Sequence, residues 1–267
     1  MIEFARDRYP LAVEGAEPPT EFNVEARSVL SGLSPGRVFA DRLDAPEALL
    51  VWSFGIEGVY LIGKEFTVGF SRQLDEFARG ELKELLAAAG YPWLEISGST
   101  READQLIQTA FSDRDLEYDE QWVYRSNLQT SAADVDGETL SVAEVLDLDC
   151  CDAHLGVSRS VEKFWSDADR YGQFGLGFCS AVDGVPVSLC MSAFVDGDVH
   201  CVELETAEVF RRQGHATIAA QRLLAECATR GLTVHWDCMA DNEGSWRTAA
   251  KIGLQRVAEY RCWYFEL

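Results

Sequence analysis

Basic residues are scarce in this chain, lysine above all. Its 267 residues hold 23 Lys and Arg against 45 Asp and Glu, a formal net charge of -22. The sequence pI is near 4.5. Lysine stands only at 64, 83, 163 and 251, so 19 of the 23 basic residues are arginine, a bias that identifies no activity. Gripping nucleic acid requires a basic stripe to meet the phosphates, and this balance argues against that partner and equally against an anionic membrane surface. Long apolar runs are missing too. None approaches the roughly 20 residues of a membrane span, and MIEFARDRYP lacks the apolar centre of a signal peptide. The eight cysteines (150, 151, 179, 190, 201, 227, 238 and 262) form no CxxC or Cys/His ligand spacing. Free buried thiols without a metal are therefore expected. Adjacent Cys150 and Cys151 would be strained as a disulfide and read as two thiols. Together these absences point to the cytoplasm. Hydrophobic content of 47% and mean hydropathy of -0.10 describe an ordinary folded protein, long enough for one large domain or two small ones.

What the chain does contain is concentrated between Glu203 and Leu224. VHCVELET (Val199 to Thr206) alternates apolar and polar residues and is rich in strand formers. A short turn with Arg211, Arg212, Gly214 and Ala216 follows. A helix comes next, its apolar stripe running Ala216, Ala219, Ala220, Leu223, Leu224 and Cys227 and its stop at Arg230-Gly231. The first N–H groups of such a helix lack intrahelical acceptors and point back at the turn, where the positive end of the helix dipole favours an anion. A glycine there lets a phosphate touch backbone, and two arginines add forked, permanently charged donors. The plainer reading is an ordinary strand-to-helix turn with two solvated arginines.

The surroundings repeat a recognisable order. Leu232 to Ala240 reads as a strand, Asp241 to Leu254 as a helix capped by Asp241 or Asn242 and stopped at Gly253, and Leu254 to Leu267 as an aromatic-rich strand. Upstream, FGLGFCSAV, VPVSLCMSAFV and VHCVELET are three strands joined by Asp183-Gly184 and Asp196-Gly197, strong hairpin signals. Helices are expected before them at Ser141 to Leu148 and Ser160 to Gly172. Arg211-x-x-Gly214-x-Ala216 resembles the Q/R-x-x-G-x-G/A signature of the GNAT superfamily of acyl-CoA-dependent N-acyltransferases. Asn242-x-x-Ser245 with Lys251-Ile252-Gly253-Leu254 resembles that family's second motif, and the order of elements agrees. The resemblance implies acetyl-CoA as acyl donor, an amine as acceptor and no metal. It implies that Leu204, Thr206, Arg211, Arg212, Gln213, Gly214, His215, Ala216, Thr217, Asn242 and Ser245 hold the coenzyme.

Residues before about 115 lie outside that pattern. Strands are expected at Gly36 to Arg42, Leu49 to Phe54 and Gly58 to Gly63, with helices at Gln73 to Ala89 and Thr100 to Ala110. This meander resembles the N-terminal half of a bacterial GNAT-acetyltransferase family with an extra region. The fold expected is thus α/β with a mixed sheet. Residues 1–115 are expected to form a smaller accessory or degenerate GNAT-like domain that shapes the substrate pocket, and residues 116–267 the GNAT domain. Leu116 to Leu128 opens the latter as a strand and Gln129 to Thr139 reads as a mobile loop.

Acetyl transfer to an amine requires removal of a proton, polarisation of the thioester oxygen and departure of a thiolate. In the family a carboxylate on the strand before the phosphate turn often takes the proton. Glu203 and Glu205 lie there two apart and share a face. His200 lies on the other face unless a bulge intervenes, and its imidazole suits the same role. Backbone N–H groups around Leu204 to Thr206 suit the oxyanion. Where many GNAT enzymes place a tyrosine acid, seven residues after Asn242, this chain has Ala249; Ser245, Cys238, Tyr260 and Tyr264 are the alternatives. A non-catalytic acyl-CoA-binding module is the competing reading. A tandem GNAT-like aminoacyl transferase would need a basic path that the chain lacks. Trp236-Asp237-Cys238 has no His and Asp arranged around it and reads as a pocket-lining cysteine. The acceptor and the choice of monomer or homodimer are not legible.

Overall fold

The computed structural model describes residues 1–11, 23–56, 58–63, 66, 68–98, 100–127, 136–147 and 154–267. They divide into two units, Met1–Gln121 with Glu259–Leu267, and Trp122–Ala258.

In the first unit the elements are β1 (Ile2–Phe4), α1 (Val24–Leu30), β2 (Gly36–Ala40), β3 (Ala48–Ser53), β4 (Val59–Gly63), α2 (Val68–Phe77), α3 (Lys83–Ala88), β5 (Trp93–Gly98) and α4 (Arg101–Ala110). All six residues of β3 are buried, as expected of a strand covered on both faces. Its alternation sorts them: Leu50 and Trp52 join Leu74, Phe77, Ile107 and Phe111 from α2, α4 and the α4 end, whereas Leu49 and Val51 meet Ala26, Val29 and Leu30 of α1. The helix expected at Gln73 to Ala89 is α2 and α3 joined by a π-helical turn, where Gly80 leaves helical geometry (φ -104°, ψ -105°). Thr100 caps α4 by accepting the Ala103 N–H at 3.1 Å.

The second unit follows β6 (Glu117–Arg125) with β7 (Thr139–Ser141), α5 (Val142–Asp147), α6 (Val157–Phe164), α7 (Ala168–Phe174), β8 (Gly177–Val182), β9 (Val185–Asp196), β10 (Val199–Thr206), α8 (His215–Arg230), β11 (Thr233–Met239), α9 (Glu243–Lys251) and β12 (Gln255–Glu266). Its strand order is β6-β11-β10-β9-β8-β7. Pairing is antiparallel from β7 to β10 and parallel between β10 and β11, so the sheet is mixed. Both expected Asp-Gly hairpins form, with positive φ at Asp183 (51°), Gly184 (78°) and Gly197 (58°) as tight reversals of this hand require. The single helix expected at Ser160 to Gly172 is instead α6 and α7. Asp167 breaks it, its carboxylate accepting the Arg170 N–H at 2.7 Å as an N-cap.

The division between the units falls at 121/122, and Glu259–Leu267 belongs to the first unit. There residues 262–266 of β12 pair with β5, and Trp263 and Phe265 enter the core with Ile96 and Phe111. An aromatic-rich strand announces that it will be buried, not where. Cys150, Cys151 and residues 129–135 of the expected loop lie outside the described residues; Thr139 opens β7. Among the described residues no helix is long and apolar enough to cross a membrane.

Candidate functional site

A bulge prepares the site. Cys201 faces Phe194 and Val202 faces Ser192, so Ala193 of β9 is the extra residue. Because the insertion is on β9, the alternation along β10 is undisturbed. Val202 and Leu204 pack toward the α8/α9 cluster, and Glu203 and Glu205 project from the opposite face. The parallel register of β10 with β11 covers Val199–Cys201 against Thr233–His235. Beyond it, the register of β10 with β9 continues to Thr206. The far end of β10 is anchored by Ser188, whose hydroxyl donates to the Glu205 carbonyl at 3.0 Å and lies 2.7 Å from the Thr206 hydroxyl.

After Thr206 a single 3-10 turn, Glu208–Phe210, leads into the predicted anion turn. Arg212 and Gly214 both take positive φ, 60° and 96°. Gly214 is the N-cap of α8 and supplies no side chain to it. The first backbone bond of the helix runs from the Ile218 N–H to the Gly214 carbonyl at 3.1 Å, leaving the preceding N–H groups without intrahelical acceptors. A Cβ built on Gly214 meets nothing within 4 Å. The space before this helix end is open, and glycine keeps it so.

A cleft of about 730 Å³ lies against that turn. One wall is Leu204, Glu205, Thr206, Phe210, Arg211, Arg212, Gly214, His215, Ala216 and Thr217; the other is Asn242, Gly244, Ser245, Arg247, Thr248 and Lys251 from α9 and its cap. Arg211 Nε donates to the Thr206 carbonyl at 3.2 Å, which holds its guanidinium at the strand end. His215 is braced by Ser180, 2.9 Å from its Nδ1, and by an edge contact with Phe210. On the second wall Asn242 Oδ1 accepts the Ser245 N–H at 3.1 Å, so asparagine is the cap of α9. The Ser245 hydroxyl accepts from Trp236 Nε1 at 2.9 Å, and Lys251 Nζ lies 3.4 Å from the Thr217 hydroxyl.

The structure thus brings most of the sequence-predicted coenzyme residues around one cleft. Gln213 stands apart, its amide donating to the Val209 carbonyl at 2.9 Å and serving the turn itself. Phe210, Gly244, Arg247 and Thr248 line the cleft without having been singled out in the sequence. Positions 244, 247, 248 and 251 form one helical stripe, the signal by which they were findable once α9 was placed.

The three candidate bases part company. Glu205 is exposed at the cleft. Glu203 is half-buried, and burial raises its carboxyl above the usual range, with Glu205 adding to the shift and Lys163 opposing it. Of the three, Glu205 alone is among the cleft-lining residues given above; His200 is 4% exposed and bonds through Nδ1 to the Ser192 hydroxyl at 2.8 Å. Burial, helped by Arg230 and opposed by Asp198, lowers its pKa to about 4. The imidazole is thus enclosed, on the face of β10 opposite Glu203 and Glu205. Of the groups considered in place of the tyrosine acid, Ser245 lines the cleft. Cys238 is a buried thiol whose pKa burial pushes up to about 11. Tyr264 donates to Glu117 within the first unit. Ala249 is fully buried among the α8 and α9 residues. Among the described residues no group of three His, Cys, Asp or Glu is placed to hold a metal.

Known proteins share this architecture. The family described as GNAT acetyltransferase matches residues 20–263. An uncharacterized N-acetyltransferase of Bacillus subtilis, YdfB, is 25% identical over 245 residues, covering 89% of this chain and 88% of its own. Among solved structures, a GCN5-related N-acetyltransferase-like protein from Streptococcus suis superposes with a TM-score of 0.67 at 19% identity, covering 98% of this chain and all of its own. A tandem GNAT protein from the clavulanic acid biosynthesis pathway does so with a TM-score of 0.59 at 12% identity, over 99% of this chain and 97% of its own. With the family matched over nearly its whole length, this chain belongs to the GNAT acetyltransferases.

Proposed function

We propose that this acetyltransferase moves an acetyl group from acetyl-CoA to an amine of a small molecule or a peptide amino terminus. The observation that carries the reading is the cleft at the α8 N-terminus. In a chain of net charge -22 it gathers Arg211, Arg212, Arg247 and Lys251 around an open glycine turn. That arrangement suits a ligand with several phosphate charges and room to reach backbone N–H groups.

The coenzyme would lie with its pyrophosphate on the turn and its thioester near Leu204 to Thr206, where backbone N–H groups stabilise charge developing on the carbonyl oxygen. Glu203 takes the proton as the amine nitrogen attacks the thioester carbon; the C–N bond forms and the C–S bond breaks, leaving the acetamide and a thiolate. Raised by burial, its carboxylate is a stronger base than an ordinary glutamate. A thiolate is stable enough to depart without full protonation, and this accommodates Ala249 at the tyrosine position.

The test is release of free coenzyme A thiol from acetyl-CoA across a broad panel of primary amines. Turnover with at least one amine is expected. Tight acetyl-CoA binding with no release for any amine would favour the non-catalytic module, and no binding at all would remove the coenzyme from the site.

A further inference from the structure

We propose that the acceptor is an amine carrying its own carboxylate, of the amino acid class, and that Lys163 of α6 anchors that carboxylate while the amine meets Glu203. This rests on the acetyl-transfer reading above and narrows its acceptor.

The path of α6 supplies the geometry. Just before the helix, His154 sets its ring edge-on to Phe210 at 5.5 Å, and Phe210 lines the coenzyme cleft. At the other end of α6, Phe164 meets Phe194 of β9 at 5.4 Å. Phe194 is the register partner of Cys201, which shares a face of β10 with Glu203 and Glu205. The helix therefore runs over that face from the far end of β10 back to the level of Cys201. Glu205 and Glu203 lie along the strand between these two contacts. Val157, Val161 and Phe164 are the buried side of α6, a stripe at helical spacing that seats it on the sheet. Lys163 lies beside that stripe and stays exposed. Its ammonium is 5.0 Å from the centre of the Phe164 ring, and this cation–π contact draws it toward the sheet.

Among the described residues no carboxylate lies within ion-pair distance of Lys163, yet its charge is felt at Glu203, whose raised carboxyl it pulls back down. A cation set beside the base and bound to no carboxylate of the protein can take one from the substrate. A zwitterion matches this pairing: its nitrogen goes to Glu203, and its carboxylate accepts charge-assisted hydrogen bonds from the Lys163 ammonium. A diamine would bring its second cation against Lys163 and be repelled. A peptide amino terminus has given up its neighbouring carboxylate to the amide.

The experiment adds matched acceptors to the amine panel, each pair differing only in a carboxylate: leucine with isoamylamine, phenylalanine with phenethylamine, and lysine with cadaverine. The readout is the ratio of kcat/KM within a pair, at saturating acetyl-CoA, in the parent and in Lys163→Met, Lys163→Arg and Lys163→Glu. The position is exposed, so the fold should survive, and circular dichroism checks it. The parent should favour the member that carries the carboxylate. Lys163→Met should lose about tenfold of that ratio, Lys163→Arg should keep most of it, and Lys163→Glu should turn it toward cadaverine. Any effect of Lys163 on the basicity of Glu203 is common to both members and cancels in the ratio. A ratio that survives in Lys163→Met, or a parent that prefers the bare amines, overturns the anchor while leaving acetyl transfer intact. No release of coenzyme A with any amine in the panel would instead sink the transferase reading, and the anchor with it.

Discussion

At the scale of single residues, Gly214 and Glu203 are where conformation and charge are set against the fold for the sake of the site. Gly214 sits at φ 96° with nothing within 4 Å of a Cβ built on it. Alanine there meets no clash but must adopt a backbone that L-residues disfavour by about 1–2 kcal/mol. Gly214→Ala should therefore lower the Tm by a few degrees and weaken coenzyme A by about tenfold or more, as the turn relaxes and a methyl enters the anion's space. Calorimetric titration beside thermal melting reads both; undiminished affinity would mean that the pyrophosphate lies elsewhere. Glu203 makes the opposite trade. Because its native pKa is raised, the folded state holds a proton that the unfolded chain releases. Its contribution to stability is whole below the ordinary carboxylate value and falls away as pH rises through the raised one. Replacing it with glutamine removes that penalty and the base together. Glu203→Gln should melt higher than the parent at pH 8 while kcat drops by about a hundredfold, whereas Glu205→Gln should retain most activity. An unchanged rate in Glu203→Gln would shift the role to Glu205 or to water.

Elements show which parts of this were legible beforehand. Strand, glycine turn and helix at Val199 to Arg230 were readable because each carries a local signal: alternation, an Arg-Gly turn and a small-residue stripe closed by Gly231. The same holds for the Asp-Gly hairpins and for Asn242 as a cap. What the sequence left open was set by pairing between distant strands. Nothing near His200 says that the extra residue of the β9–β10 ladder is Ala193, yet that placement keeps the imidazole on the α8 side and inside the core. Likewise Glu203 and Glu205 are alike on paper, and only the packing of the unit buries one more than the other. The buried histidine has a consequence of its own. Its pKa falls from 6.5 to about 4, so its contribution to stability is complete above the unfolded value and is lost as pH falls toward the native one. That amounts to about 3 kcal/mol between pH 7 and pH 4. Urea midpoints measured across that range should fall less steeply with acid in His200→Gln than in the parent. Parallel slopes would mean that His200 does not titrate with unfolding.

For the molecule as a whole, the deficit of bases that opened the sequence sets a conflict. A protein of net charge -22 is proposed to capture a polyanion, through a cleft holding Arg211, Arg212, Arg247 and Lys251. The two contributions act over different distances. The overall field repels the coenzyme from afar, while the cleft attracts it at contact, where a partly desolvated pair is less screened. Salt separates them, because the Debye length shrinks from about 30 Å at 0.01 M to about 8 Å at 0.15 M. Over that range long-range repulsion is suppressed first, so the association rate constant for coenzyme A should rise. The dissociation rate constant should rise as well, as the short contacts of the cleft weaken in their turn. Stopped-flow binding at several ionic strengths resolves the two. An association rate that falls steadily with salt would show that the local cations, not the net charge, govern the approach. In that case the acidic surface would count for solubility alone.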